Sequence, residues 1–287
     1  MGAALALVSA LSYGLSDVVG GIVARRMRAV RVAFLGQLGG LLAVAVAAPV
    51  LTPASPAAPA LLWGGLSGLG TGLAMAFLFR GMGRGAMSVV VPVSAVGGVA
   101  LPVLVGATVL GERPAWPTWV GVGLALPALW LVSRGSAGPA TESGPTRGSV
   151  TDGLVSGVGI AIQYLALARA APASGLWPVL AGRVTALVAV GILACTLMRA
   201  LPANAERRAG AREAAAAGGA GVLAALALAA YLVAAQSEFV TVAVVLSSLY
   251  PLVPAVIGVV VLGERLSRGQ VLGLAVAATA AVLIALS

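Results

Sequence analysis

Asp17 and Arg183 are the residues around which any chemistry in this chain has to be built. Both lie inside long apolar runs, where an ionisable side chain is costly and therefore marks a functional site by default. Asp17 shares its run with Ser12, Tyr13 and Ser16. A spacing of four puts Ser12 and Ser16 on one helix face, and Tyr13 and Asp17 on the adjacent strip. The other polar groups in apolar surroundings are Gln37, Gln163, Tyr164 and, ahead of two prolines, Ser247, Ser248 and Tyr250. An acid and a base in separate apolar segments suit the binding of a small solute carrying both charges. Bond-breaking chemistry is a poorer fit. Acid–base, nucleophilic and metal-assisted catalysis call for paired carboxylates, histidines or an activated nucleophile. The chain has no histidine and no lysine, the single cysteine Cys195, and 8 scattered acidic residues. We expect no enzyme, no cofactor and no metal site.

Each polar residue has a plainer reading beside the functional one. Ser, Thr and Gln between membrane helices often serve only as packing hydrogen bonds worth ~0.6 kcal/mol. Asp17 lies about two turns from Arg25 and Arg26 and can act as their snorkelling partner. Glu112 and Glu264, each following a glycine at a helix end, are expected to cap and pair locally.

The elements that must hold these residues follow from composition. Hydrophobic residues make up 60% of the chain, charged residues only 9%, and the mean hydropathy is +1.08. A soluble domain needs a more polar surface, so a multi-pass membrane protein is expected. The formal charge of +9 comes with no basic helix or aromatic-interleaved patch. We therefore expect arginines in loops on one side of a bilayer, and no nucleic-acid partner. No basic n-region precedes the first apolar run, so that run is expected to remain as a helix.

The stretch from Val99 to Arg113, VALPVLVGATVLGER, recurs 152 positions later as PLVPAVIGVVVLGER, from Pro251 to Arg265. Seven of the fifteen positions are identical, including Pro102/Pro254, Gly106/Gly258 and the closing Leu-Gly-Glu-Arg. A period this long marks a duplicated half. A bilayer core of ~30 Å takes ~20 apolar residues per helix. Runs of that length place helices at 3–24, 32–50, 60–79, 87–110 and 116–133, then 150–168, 175–198, 217–236, 239–262 and 269–286. Residues 134–149, rich in Gly, Ser, Thr and Pro, form a flexible linker between repeats at 1–133 and 150–287. Five helices per half is odd, so the second half enters the membrane upside down. The expected fold is an all-α membrane protein of ten transmembrane helices in two inverted five-helix repeats. Aligning the early helices of the halves at a shift of 146 pairs Gly36 with Gly182, Asp17 with Gln163, and Gln37 with Arg183. Prolines 92, 102, 127, 178, 251 and 254 are expected kinks. Trp63, Trp116, Trp119, Trp130 and Trp177 fall at helix ends, as an interfacial belt requires.

This plan, with Leu-Gly-Glu-Arg closing the fourth and ninth helices, resembles the EamA branch of the drug/metabolite transporter superfamily. The first helix, Tyr13-Gly-Leu-Ser-Asp17-Val-Val-Gly-Gly followed by Ala-Arg-Arg, looks like the opening of many bacterial members. The resemblance implies a secondary transporter, expected to be an exporter, that carries a small metabolite or drug across the cytoplasmic membrane. Relatives export amino acids, drugs, nucleotide sugars or lipid-linked sugars. Proton or ion coupling goes with such an activity, and monomer and homodimer both stay open. The alternatives are a flippase for a lipid-linked head group and a structural subunit that transports nothing.

Relatives are usually drawn with both termini in the cytoplasm, and the arginines disagree. The odd-numbered loops hold 14 of them, against Arg113 and Arg169 in the even ones. Positive-inside then puts the odd loops in the cytoplasm and both termini outside. A cysteine placed at Ser143, in a Cys195→Ser background, should resist an impermeant thiol reagent in intact cells. Rapid labelling there would sink the topology without touching the fold.

Overall fold

The computed structural model describes residues 1–24, 26–52, 56–83, 87–135, 147–170, 172–200, 210–250, 252–253, 256–257 and 267–285. Among the described residues all regular structure is helical. The α-helices are α1 (Gly2–Ala24), α2 (Ala29–Leu51), α3 (Ala58–Gly83), α4 (Met87–Thr108) and α5 (Trp116–Gly135) in the first half. Then come α6 (Arg147–Ala168), α7 (Trp177–Ala200), α8 (Ala211–Ser237), α9 (Val240–Ser247) and α10 (Arg268–Ala285), with a 3-10 turn at Pro172–Ser174 before α7. A helix satisfies its backbone within itself, which is what hydrocarbon demands. Six of these helices contain stretches long and apolar enough to cross a membrane: Gly2–Ala24, Val30–Leu51, Ala58–Leu78, Val150–Ala168, Trp177–Cys195 and Ala211–Ser237. Val93–Thr108, Trp116–Leu131 and Arg268–Ile284 are apolar but shorter. The interior of the proposed linker, 136–146, lies outside the described residues, and α6 starts at Arg147.

The two halves interleave. α1 packs on α8, α3 on α6 and α7, α2 on α7 and α8, α4 on α6, and α5 on α10. Tyr231, Leu232, Leu167 and Val179 are fully buried at the meeting of α6, α7 and α8. Such seams draw on close packing, because lipid removes the hydrophobic drive for helix association. The seam between α2 and α8 is the tightest point that matters for the site. A Cβ on Gly221 would run into the carbonyl oxygen of Gly36, so only glycine allows that approach.

Four local expectations need correction. α8 begins at Ala211 rather than at 217, because the Glu213 carboxylate accepts the Gly210 N–H at 3.1 Å and anchors the first turn. Pro178 sits in the first turn of α7, where a missing N–H costs nothing, so it is no mid-helix kink. Pro127 does lie inside α5, while 251 and 254 fall outside the described residues. The ninth helix does not run unbroken from 239 to 262. It stops at Ser247, with a turn through Ser248 to Tyr250. Pro251 follows, and it both lacks an N–H and disfavours helical geometry in Tyr250.

The fourth correction concerns Glu112, which caps no helix of its own half. Gly111 adopts φ 68° and swings the chain round, with Glu112 N–H donating to Gly106 O at 3.0 Å. The carboxylate then accepts from Val240 N (2.6 Å), Thr241 N (3.0 Å) and Thr241 Oγ1 (2.7 Å), at the start of α9. An anion on these free N–H groups complements the helix dipole. A Cβ on Gly106 would lie 2.6 Å from the Glu112 Oε2 and Thr241 Oγ1 atoms, so the glycine leaves room for the cap. The equivalent Gly258 and Glu264 lie outside the described residues. Replacing Glu112 with Ala should leave these donors unserved and cost about 1–3 kcal/mol. A thermal melt of the purified variant reads this directly, and an unchanged melting temperature would refute the cap.

Candidate functional site

Five helices meet around a cavity of about 270 Å³. α1 contributes Ser16 and Asp17, α2 contributes Gly36 and Gln37, α7 contributes Arg183, and α8 contributes Ala217, Ala220 and Gly221. Met75 of α3 completes the wall, which is otherwise Gly, Ala and Val. Asp17 and Arg183 are the ionisable residues of this lining, one from each half of the chain. Ser16 is held in place, its Oγ donating to Ala220 O at 2.8 Å. Asp17 is exposed into the cavity. Arg26, the partner in its plainer reading, pairs with Glu213 at 3.4 Å, and Arg25 lies outside the described residues.

Arg183 is only 3% exposed. It sits in the second turn of α7, too deep to reach water by snorkelling along the helix end. Nη1 donates to Gln37 Oε1 at 2.9 Å, and Gln37 Nε2 lies 3.9 Å from the Met75 sulfur. Nε and Nη2 are buried without a hydrogen-bond partner. A second void of about 10 Å³, lined by Gln37, Ser67, Thr71 and Arg183 among others, lies against the same side chain. Arg183 is thus a wall of both spaces.

Tyr13, Gln163, Tyr164 and Tyr250 form a separate, partly buried cluster next to that void. Tyr13 Oη accepts from Gln163 Nε2 at 2.9 Å, and Thr71 Oγ1 donates to Gln163 Oε1 at 2.9 Å. Ser67 Oγ donates to the backbone oxygen of Gln163 at 2.9 Å. The rings of Tyr13 and Tyr250 face each other at 5.9 Å, tilted by 49°. Tyr164 stacks on Tyr231 at 4.6 Å, and the Tyr231 hydroxyl donates to Tyr164 O at 3.0 Å. Ser12 is buried and does not line the cavity. The geometry therefore joins Ser16, Asp17, Gln37 and Arg183, and sets Tyr13, Gln163, Tyr164 and Tyr250 behind them. Ser67 and Thr71 were not singled out from the sequence, although with Met75 they recur every four residues along one face of α3.

Two ion pairs tie helix ends on the side of the odd-numbered loops. Arg26 joins the end of α1 to the start of α8 through Glu213. Arg80 joins the end of α3 to the start of α6, its Nε donating to Asp152 Oδ1 at 2.9 Å, with the guanidinium 4.2 Å over the Phe77 ring. Asp152 is completely buried, so this pair is screened far less than the exposed one at Arg26.

Residues 1–134 match the model of the EamA-like transporter family. No curated protein matches the chain. A crystal structure of another protein superimposes on 99% of this chain and 96% of its own, with a TM-score of 0.74 at 19% identity. At that identity the likeness speaks for the fold alone. Tyr13→Phe removes the acceptor for the buried Gln163 amide and should lower stability by about 1 kcal/mol. Chemical or thermal unfolding in detergent checks this, and a stability equal to wild type would mean that Gln163 finds another acceptor.

Proposed function

With residues 1–134 those of an EamA-like transporter, we propose that this integral membrane protein is a secondary transporter of a small solute. One observation carries the reading: Asp17 and Arg183, from opposite halves, line one cavity inside apolar helices. Charges so placed are expensive unless something in transit uses them.

The proposed mechanism is alternating access between two inverted repeats of five crossings each. The helix pairings support it, because they survive replacing each helix by the one five later. α1 on α8 becomes α6 on α3, α2 on α8 becomes α7 on α3, and α4 on α6 becomes α9 on α1. The pairs α2–α7, α4–α9 and α5–α10 map onto themselves. Gln37 and Arg183, 146 positions apart and equivalent under the proposed alignment, hydrogen-bond to each other. Equivalent residues touch only where they flank a symmetry axis.

The arginines together with the cavity support export as the direction. Its wall continues to Ala24, Val32 and Ala217, toward the arginine-rich odd loops. If those loops face the cytoplasm, the cavity faces inward and is placed to load a solute for export across the plasma membrane. Glu213 and Arg26 then sit beside the cytoplasmic mouth.

Transport by the purified protein in proteoliposomes tests this, with a panel of radiolabelled metabolites. Arg183→Leu should abolish uptake while the protein still folds, since among the described residues the charge it removes is hydrogen-bonded by Gln37 alone. With a proton as the coupling ion, transport depends on pH through Asp17, and Asp17→Asn flattens that dependence. A Leu variant that transports normally, or that only fails to fold, would reduce Arg183 to a structural residue.

A further inference from the structure

The guanidinium of Arg183 is served on one side only. Nη1 has Gln37 Oε1 at 2.9 Å, whereas Nε and Nη2 are buried and meet no acceptor. Nε–H and the neighbouring Nη2–H point the same way along one edge of a planar fork. That edge matches both oxygens of a carboxylate at once. Leaving it unmatched on a side chain 3% exposed is unfavourable unless something supplies the oxygens. The 10 Å³ void holds at most one water, which offers a single oxygen. The 270 Å³ cavity that shares the Arg183 wall has room for both oxygens of a small solute.

We propose that this cavity binds its solute by a carboxylate seated side-on against Nε and Nη2 of Arg183. Gln37 is a positioning residue: by taking Nη1 it fixes the plane of the fork and leaves the bidentate edge free. The inference deepens the transport reading and rests on it only for its purpose, since binding is measurable without transport. The size of the cavity limits the solute to a small metabolite, below the usual pocket range of roughly 300–1,000 Å³. Its charge selects a carboxylate over a phosphate. Among the described residues no second cation lines the wall, and the other ionisable lining residue, Asp17, would repel a second negative charge.

The test warms purified protein in detergent with propionate, with its uncharged counterpart propionamide, or with inorganic phosphate. Propionate should raise the melting temperature saturably, and the other two should not. Arg183→Leu should lose the shift. Arg183→Lys keeps the charge but not the fork, and should weaken propionate binding roughly tenfold. Gln37→Leu leaves Arg183 in place without its anchor and should also weaken binding. If the Leu variant at 183 does not fold, the Lys and Gln37 variants carry the comparison. The proposal falls if propionate gives no saturable shift, if propionamide matches it, or if phosphate alone stabilises. It also falls if binding survives every one of these substitutions. Failure here, in a protein that still moves a solute in an Asp17-dependent way, leaves the transport reading standing. Arg183-dependent propionate binding in a protein that moves nothing does the reverse.

Discussion

A guanidinium buried in an apolar bundle governs this structure. Arg183 cannot shed its proton and cannot reach bulk water from the second turn of α7. It therefore needs acceptors brought to it, and among the described residues Gln37 is the one that supplies a hydrogen bond. The surroundings follow from that need. α2 must lie close enough to α7 for an amide to reach across. The space next to the pair must stay open, because filling it with side chains would leave two donors permanently stranded.

Glycine is what makes this geometry possible. Gly40 lies against the guanidinium, where a Cβ would approach its Cζ and Nε to 3.3 Å. Gly36 and Gly221 bring α2 and α8 into backbone contact along the cavity wall. Larger residues there would push the helices apart and separate Gln37 from the arginine. Small side chains thus act twice, as packing surface between helices and as the smooth lining of the cavity. Several polar groups, at the cavity wall and behind it, are used up by another helix. Ser16, Ser67 and Ser156 all donate to backbone oxygens across a seam.

The broken ninth helix belongs to the same economy. An eight-residue helix, buried throughout, has end groups that no water can serve. At its start Glu112 provides three acceptor contacts from the other half of the chain. At its end the turn through Ser248 to Tyr250 brings Tyr250 against Tyr13. The first copy of the Leu-Gly-Glu motif is in this way a device for holding the halves together, not simply the end of a helix.

Much of this was legible in the residues alone. Apolar runs of membrane length, the repeated motif and the isolated Asp17 and Arg183 gave all-helical architecture and the most costly charges, because hydrocarbon punishes any other pattern within a single segment. What local pattern could not give was which segment meets which. The sequence shows Glu112 next to a glycine, and a nearby partner is the natural expectation; only the packed helices bring Val240 and Thr241 to it, 128 and 129 positions away. It shows Asp17 near Arg25 and Arg26, yet Arg26 finds Glu213, 187 positions on. Nothing in the sequence marks Ser67 and Thr71, and it is α6 that places Gln163 against them. Composition and periodicity act along the chain and so determine the helices. Pairing of charges and amides is decided by short contacts between segments far apart in sequence, and these exist only once the tertiary fold has chosen the neighbours.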